Sequence, residues 1–141
     1  MTEQEKVNYG RLANKVLIER IKASESLEQM KITYKELAEQ IGIPPENIRS
    51  AGFSKLIGSI LGVTGKLLFQ VSKTFNMHIP VLNTLVCRAD TEMPSSGLKY
   101  FVEGYDSMTE DEQDYLIKGE YIKIQYFPKE RWDEVLVYLW F

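Results

Sequence analysis

Residues 32–75 read ITYKELAEQIGIPPENIRSAGFSKLIGSILGVTGKLLFQVSKTF, and the fold turns on how this stretch divides. Thr33 is a helix-capping residue with Glu36 three positions later, the spacing of a capping box. Leu37, Ala38 and Ile41 then share one face, and Gly42 marks the end after about two turns. Pro44 and Pro45 break the pattern, while Pro45 suits the start of a short new turn over Glu46–Ser50. From Phe53 onward, Phe53, Ile57, Ile60, Leu61, Leu67, Leu68, Val71 and Phe75 trace one broad helical face, predicting a long helix over 53–75. A short helix, a turn and a longer helix make a helix-turn-helix candidate.

Upstream, Ile32-Thr33 reads as a very short extended piece. Thr2 with Glu3 and Glu5 predicts a helix start, and Val7, Leu12, Val16, Leu17 and Ile21 carry it as an amphipathic helix over 3–23. Downstream, Pro80 stops any helix and Leu82 to Arg88 is rich in strand formers, which predicts a strand. The segment LKYFVEGY, 98–105, predicts a second short strand and with it a hairpin-like wing. A strong N-cap signal then opens a helix near Thr109, with EYIKIQY after Gly119 readable as strand or as continued helix. After Pro128 a last helix places Trp132, Val135, Leu136 and Leu139 toward the core. The expected fold is α+β and mainly helical, a single domain over 1–141. It has an N-terminal helix over 1–25, a winged helix-turn-helix core over 32–97 and an acidic helical extension over 105–141.

At 141 residues, with 44% hydrophobic and 26% charged residues, the chain is long enough to bury a core without staples. A single cysteine, Cys87, excludes an internal disulfide framework and any multi-cysteine metal cluster. The N-terminus carries acids and no apolar run, and no stretch of about 18 uninterrupted apolar residues occurs, so a cytoplasmic protein without a membrane span is expected. Net charge is −3, but its distribution is lopsided. Residues 1–30 balance five acids with five bases. From Arg49 to Arg88 there are five bases (Arg49, Lys55, Lys66, Lys73 and Arg88) and no acid, and from Phe101 onward ten acids face four bases. Local potential steers a polyanion, not the sum. The plainer interpretation is two solvated helix faces.

Several motifs fail on inspection. GVTGK lacks the first glycine of a phosphate loop, since Ile60 stands there, and Leu67 replaces the metal-binding hydroxyl. Gly58 and Gly62 form a GxxxG pair, which in a soluble chain points to close approach of another backbone, since each glycine costs a helix about 1 kcal/mol. His78 is the sole histidine, expected to be partly buried, and no metal ligand set surrounds it in sequence. Cys87 sits in the context of an inert buried thiol. Glu110, Asp111, Glu112 and Asp114 lie at a helix N-terminus, where the dipole accounts for them without calcium.

ITYKELAEQIG, followed by SKLIGSILG and IPVLNTLVCRAD, resembles the C-terminal winged-helix domain of alkylguanine-DNA alkyltransferases and alkyltransferase-like proteins, over about residues 32–97. The resemblance implies a DNA-binding winged helix. It implies that Tyr34 lies against the DNA backbone, that Lys55 stands where the family has an arginine finger, and that Gly58 matches the glycine after it. Arg88–Asp90 resembles the segment after the family's active-site strand. The departures are specific: the family's Pro-Cys-His-Arg motif is here Pro80-Val81-Leu82-Asn83, which removes the nucleophile and its histidine. Two extra residues separate IP from RAD, and lysine lacks the planar fork of arginine.

The leading expectation is therefore a non-enzymatic nucleic-acid-binding protein, with no cofactor and no metal, contacting DNA through Tyr34, Arg49, Lys55, Lys66, Lys73 and Arg88. The rival is a protein-interaction or regulatory module whose acidic C-terminal third, with exposed Tyr105, Tyr115, Tyr121 and Tyr126, docks a basic partner or folds over the basic helix. A third reading is an enzyme using His78 with Glu103 or Asp106.

Overall fold

The structure, a computed structural model, describes residues 1–89 and 102–140. Its elements follow from local signals. Helix α1 spans Glu3–Ala23, with the Thr2 side chain accepting from the Glu5 N–H. A single turn, α2 (Leu27–Met30), follows. Strand β1 is Ile32–Thr33, and Thr33 in turn caps α3 (Tyr34–Gln40) by accepting from the Glu36 N–H. Gly42, at φ 89°, turns the chain out of α3 in a conformation that side chains disfavour. Pro45 opens the short α4 (Pro45–Ile48), and α5 runs from Phe53 to Phe75. Asn76 ends α5 in the left-handed region, φ 53°, donating its N–H to the Ser72 carbonyl.

The chain is mainly helical, with a small two-stranded sheet. Helices α1 and α5 form its main contact. Gly10 permits their close approach: an ideal Cβ there would sit 3.0 Å from Val63 Cγ1, 3.2 Å from Leu67 Cδ1 and 3.3 Å from the Thr64 nitrogen. Beside it, fully buried Asn14 donates through Nδ2 to the Thr64 carbonyl at 3.1 Å, a polar tie across an otherwise apolar seam. Leu17, Ile18, Ile21, Leu37, Ala38, Ile57, Ile60 and Leu68 complete this part of the core.

The acidic extension divides into α6 (Glu110–Tyr126) and α7 (Lys129–Tyr138). Thr109 and Glu112 form a full capping box, and α6 passes through Gly119 without a break. It rests on the segment after α5: Tyr121 Oη donates to the Thr84 carbonyl at 3.0 Å, and Glu120 accepts the Val81 N–H at 3.0 Å. Helix α7 buries Trp132, Val135 and Leu139 and returns to α1, where Arg11 Nε donates to the Leu139 carbonyl at 3.0 Å and Lys22 pairs with Asp133. Phe75 and Tyr138 stack at 3.7 Å, joining the far end of α5 to α7. No described helix is long and apolar enough to cross a bilayer.

The expected strand over Leu82–Arg88 is corrected. Leu82–Leu85 is a 3-10 turn, and the strand β2 is confined to Val86–Cys87. Thr84 closes the turn by donating both its hydroxyl (2.7 Å) and its N–H (3.3 Å) to the Val81 carbonyl. Asn83 Nδ2 donates to the Leu61 carbonyl at 3.0 Å and fastens the turn to α5. The run of β-formers reflects burial of every residue from Leu82 to Cys87, not extension. β2 pairs with β1, in parallel, with Ile32 beside Val86 and Thr33 beside Cys87. Of the expected wing strand, 98–105, the first half, 98–101, lies outside the described residues, as does Asp90, and the second half is not a strand. Val102–Gly104 form a bend and turn leading into the 3-10 turn Tyr105–Ser107.

Candidate nucleic-acid interface

Helix α5 is amphipathic along its whole length, and its outward face carries the basic residues. At about 100° per residue, positions 55, 66 and 73 fall within about 20° of one another. All three lysines are exposed, so α5 presents them as one stripe. With a rise of about 1.5 Å per residue, Lys55 and Lys73 stand about 27 Å apart along the axis. The helix carries no acid, and every Asp and Glu of the chain lies outside Arg49–Arg88. Lys73 is in the last turn, where the helix dipole favours a cation.

Phe69 flanks the stripe, about 40° from Lys55 and Lys73 and about 60° from Lys66 around the helix, and is 64% exposed. Lys73 Nζ sits 5.5 Å from its ring centroid. Cations interleaved with an open aromatic face are the recurrent chemistry of single-strand binding, because every base offers a π-face. Phe69 was missed in the sequence because its position resembles one more apolar residue of a core helix. Its angular position beside the lysines was the available signal.

Beside Phe69 lies a recess of about 310 Å³, walled by α5 from Gly65 to Ser72 and by Ile79–Asn83. Its lining is mostly apolar, with Lys66 as its cation. Asn83 is 7% exposed and its Oδ1 has no hydrogen-bond partner, while its Nδ2 is committed to α5. Pro80–Asn83 thus forms part of one wall of this recess. Val81 and Leu82 offer no nucleophile there.

The remaining expected site residues sit elsewhere. Arg49 is exposed at the end of α4, four residues ahead of the first residue of α5. Arg88 is exposed directly after β2, and Tyr34 opens α3 directly after β1. Tyr34 is half-buried and packs on the core, so its ring serves packing as well as any outward contact. The structure therefore unites Lys55, Lys66 and Lys73 on α5, and leaves Arg49, Tyr34 and Arg88 on other segments.

Four further expectations change. Tyr105 and Tyr121 are buried, not exposed. Burial pushes the Tyr105 phenol up, with the Asp106 carboxylate and Tyr34 adding to the shift. Among the described residues no backbone approaches Gly58 or Gly62, since a Cβ at either meets nothing within 4 Å, whereas Gly10 does lie at a close approach. His78 is exposed, three residues past the end of α5, not partly buried. Cys87, as expected, is buried, and its thiol donates weakly to the Leu85 carbonyl at 3.5 Å.

No protein-family model matches this chain, and no curated protein or solved structure matches it.

Proposed function

We propose that this chain is a non-catalytic nucleic-acid-binding protein of alkyltransferase-like winged-helix type, which engages the DNA backbone along α5. The observation that carries the reading is the exposed, acid-free stripe of Lys55, Lys66 and Lys73. The order β1, α3, α4, α5, β2 around it, with β1 and β2 side by side, is consistent with that resemblance. Lysines act on phosphate as point charges, so the contact supplies affinity and little sequence information. Phe69 adds a surface for stacking an unpaired base. Net charge is −3, yet the ten acids after Phe101 lie on other elements, so the local field of α5 does the steering. With Val81 and Leu82 at the family's nucleophile positions, alkyl transfer has no attacking group.

The test is binding of a fluorescent duplex and of the matching single strand at two salt concentrations. Three lysine–phosphate contacts predict a slope of about −2.7 in log K against log salt for duplex, or roughly 40-fold weaker binding at 200 mM than at 50 mM. Lys55→Glu with Lys66→Glu should lower both affinity and slope, while Lys15→Gln on α1 should change neither. Phe69→Ala should weaken the single strand more than the duplex. A wild-type protein that shows no salt-sensitive binding to either probe overturns the reading. The alternative, an interaction module docking a basic partner through the acidic third, retains exposed Tyr115 and Tyr126 in its favour.

A further inference from the structure

The recess between α5 and Ile79–Asn83 has a graded wall. Around the helix its residues run Lys66, Phe69, Ser72 and Leu68 over about 160°. Lys66 and Phe69 are exposed, Ser72 is half-buried and Leu68 is buried, so this wall passes from a charge in water to the apolar core. The opposite wall is apolar from Ile79 to Leu82, with Pro80 and Leu82 buried. Its polar side chain is Asn83, 7% exposed, whose Nδ2 is committed to the Leu61 carbonyl and whose Oδ1 has no hydrogen-bond partner. Helix α6 holds that wall in place, since Glu120 accepts the Val81 N–H and Tyr121 donates to the Thr84 carbonyl. A preformed, mostly apolar cavity with a few polar groups is the usual build of a small-molecule site.

Size and charge narrow the ligand. The volume of about 310 Å³ is room for about ten non-hydrogen atoms, at about 30 Å³ for each water-sized group. Among the described residues Lys66 is the one charged member of the lining, and none of the ion pairs involves it. Glu120, the acid that reaches Val81, is itself paired with Lys123, so it does not cancel Lys66. One cation calls for one negative charge, which selects a carboxylate over a phosphate dianion. A carboxylate turned toward Asn83 would meet an acceptor with no free donor beside it. The charge therefore belongs at the Lys66 end, and the other end is apolar. We propose that the recess binds a small monocarboxylic acid with a flat apolar body, its carboxylate on Lys66 and its body between Phe69 and the Ile79–Leu82 wall. An aromatic body gains further from the Phe69 ring. The inference stands apart from the nucleic-acid reading, because its readout uses no nucleic acid.

The test is titration of the full chain with hydrocinnamate at neutral pH, followed by nitrogen–proton correlation spectra. Shifts should gather on the amides of Phe69, Ser72 and Val81 and on the Asn83 side chain, with a dissociation constant on the order of 1 mM for a ligand of this size. Hydrocinnamyl alcohol, which keeps the shape and loses the charge, should bind about fivefold more weakly. Lys66→Gln should weaken the acid by about fivefold and leave the alcohol unchanged, which isolates the ion pair. Phe69→Ala should weaken acid and alcohol alike. Both side chains are exposed, so both variants should melt as the wild type does. Para-carboxyhydrocinnamate, charged at both ends, should bind about tenfold more weakly than the monoacid or worse. No saturable shift at about 20 mM acid, well above the expected constant, overturns the proposal. So do shifts centred away from the recess, equal affinity for acid and alcohol, or a Lys66→Gln protein that binds the acid as the wild type does. A diacid that binds as tightly as the monoacid overturns the orientation.

Discussion

Replacing glycine by alanine at three helical positions should give opposite signs, and the reason is wholly tertiary. At Gly58 and Gly62 an added methyl meets nothing within 4 Å. The exchange there removes the conformational freedom of glycine from a helix interior and should stabilise by up to about 1 kcal/mol at each site. At Gly10 the same methyl arrives 3.0 Å from Val63 Cγ1 and 3.3 Å from the Thr64 backbone nitrogen. Valine is stiff at its Cβ, and the Thr64 carbonyl is tied to Asn14, so neither neighbour yields cheaply. Overpacking of this kind costs about 1–3 kcal/mol, which offsets the propensity gain and leaves a net loss of up to about 2 kcal/mol. The gap between Gly10→Ala and Gly58→Ala should therefore be about 1–3 kcal/mol, read from urea midpoints at constant m. In thermal melts that is about 3 °C per kcal/mol for a chain of this length. Adding Val63→Ala removes the nearest contact, so Gly10→Ala should cost less in that background than in the wild type, by about 1 kcal/mol. If Gly10→Ala stabilises as much as Gly58→Ala, the close α1–α5 approach does not exist and the placement of the lysine stripe falls with it.

Two further outcomes concern α6. Burial pushes the Tyr121 phenol well above its ordinary value, with Cys87 acting in the same direction. A group whose folded pKa is raised contributes fully below its unfolded pKa and loses that contribution as pH rises toward the folded value. Stability should thus fall above about pH 10, and Tyr121→Phe should flatten that decline while costing about 1 kcal/mol at neutral pH, because the Thr84 carbonyl loses the phenol and keeps only the weak Cys87 thiol as donor. Thr109→Ala removes the acceptor for the Glu112 N–H and should cost about 1 kcal/mol, measured by urea unfolding.

The helices were legible because their signals are local. Thr2, Thr33 and Thr109 cap by bonds to residues three positions away, and Gly42, Pro45 and Pro128 punctuate through their own backbone geometry. The periodicity of α5 likewise fixed both its apolar face and its opposite lysine edge, so Lys55, Lys66 and Lys73 were placed together from sequence. Phe69 escaped notice because an aromatic residue in an apolar helix looks like core until its neighbours are known.

The sequence by itself determined where α1, α3 and α5 begin and end, where α6 and α7 start, and that α5 bears a cationic stripe, because capping and helical spacing depend on residues within a turn or two. Tertiary structure alone decided the rest. It made Leu82–Leu85 a turn, since that segment answers to Leu61 on α5 and Tyr121 on α6. It assigned close approach to Gly10, buried Tyr105 and Tyr121, and left Tyr115 and Tyr126 in water. Each of these outcomes depends on which distant surface arrives beside the residue, and residue type does not encode that.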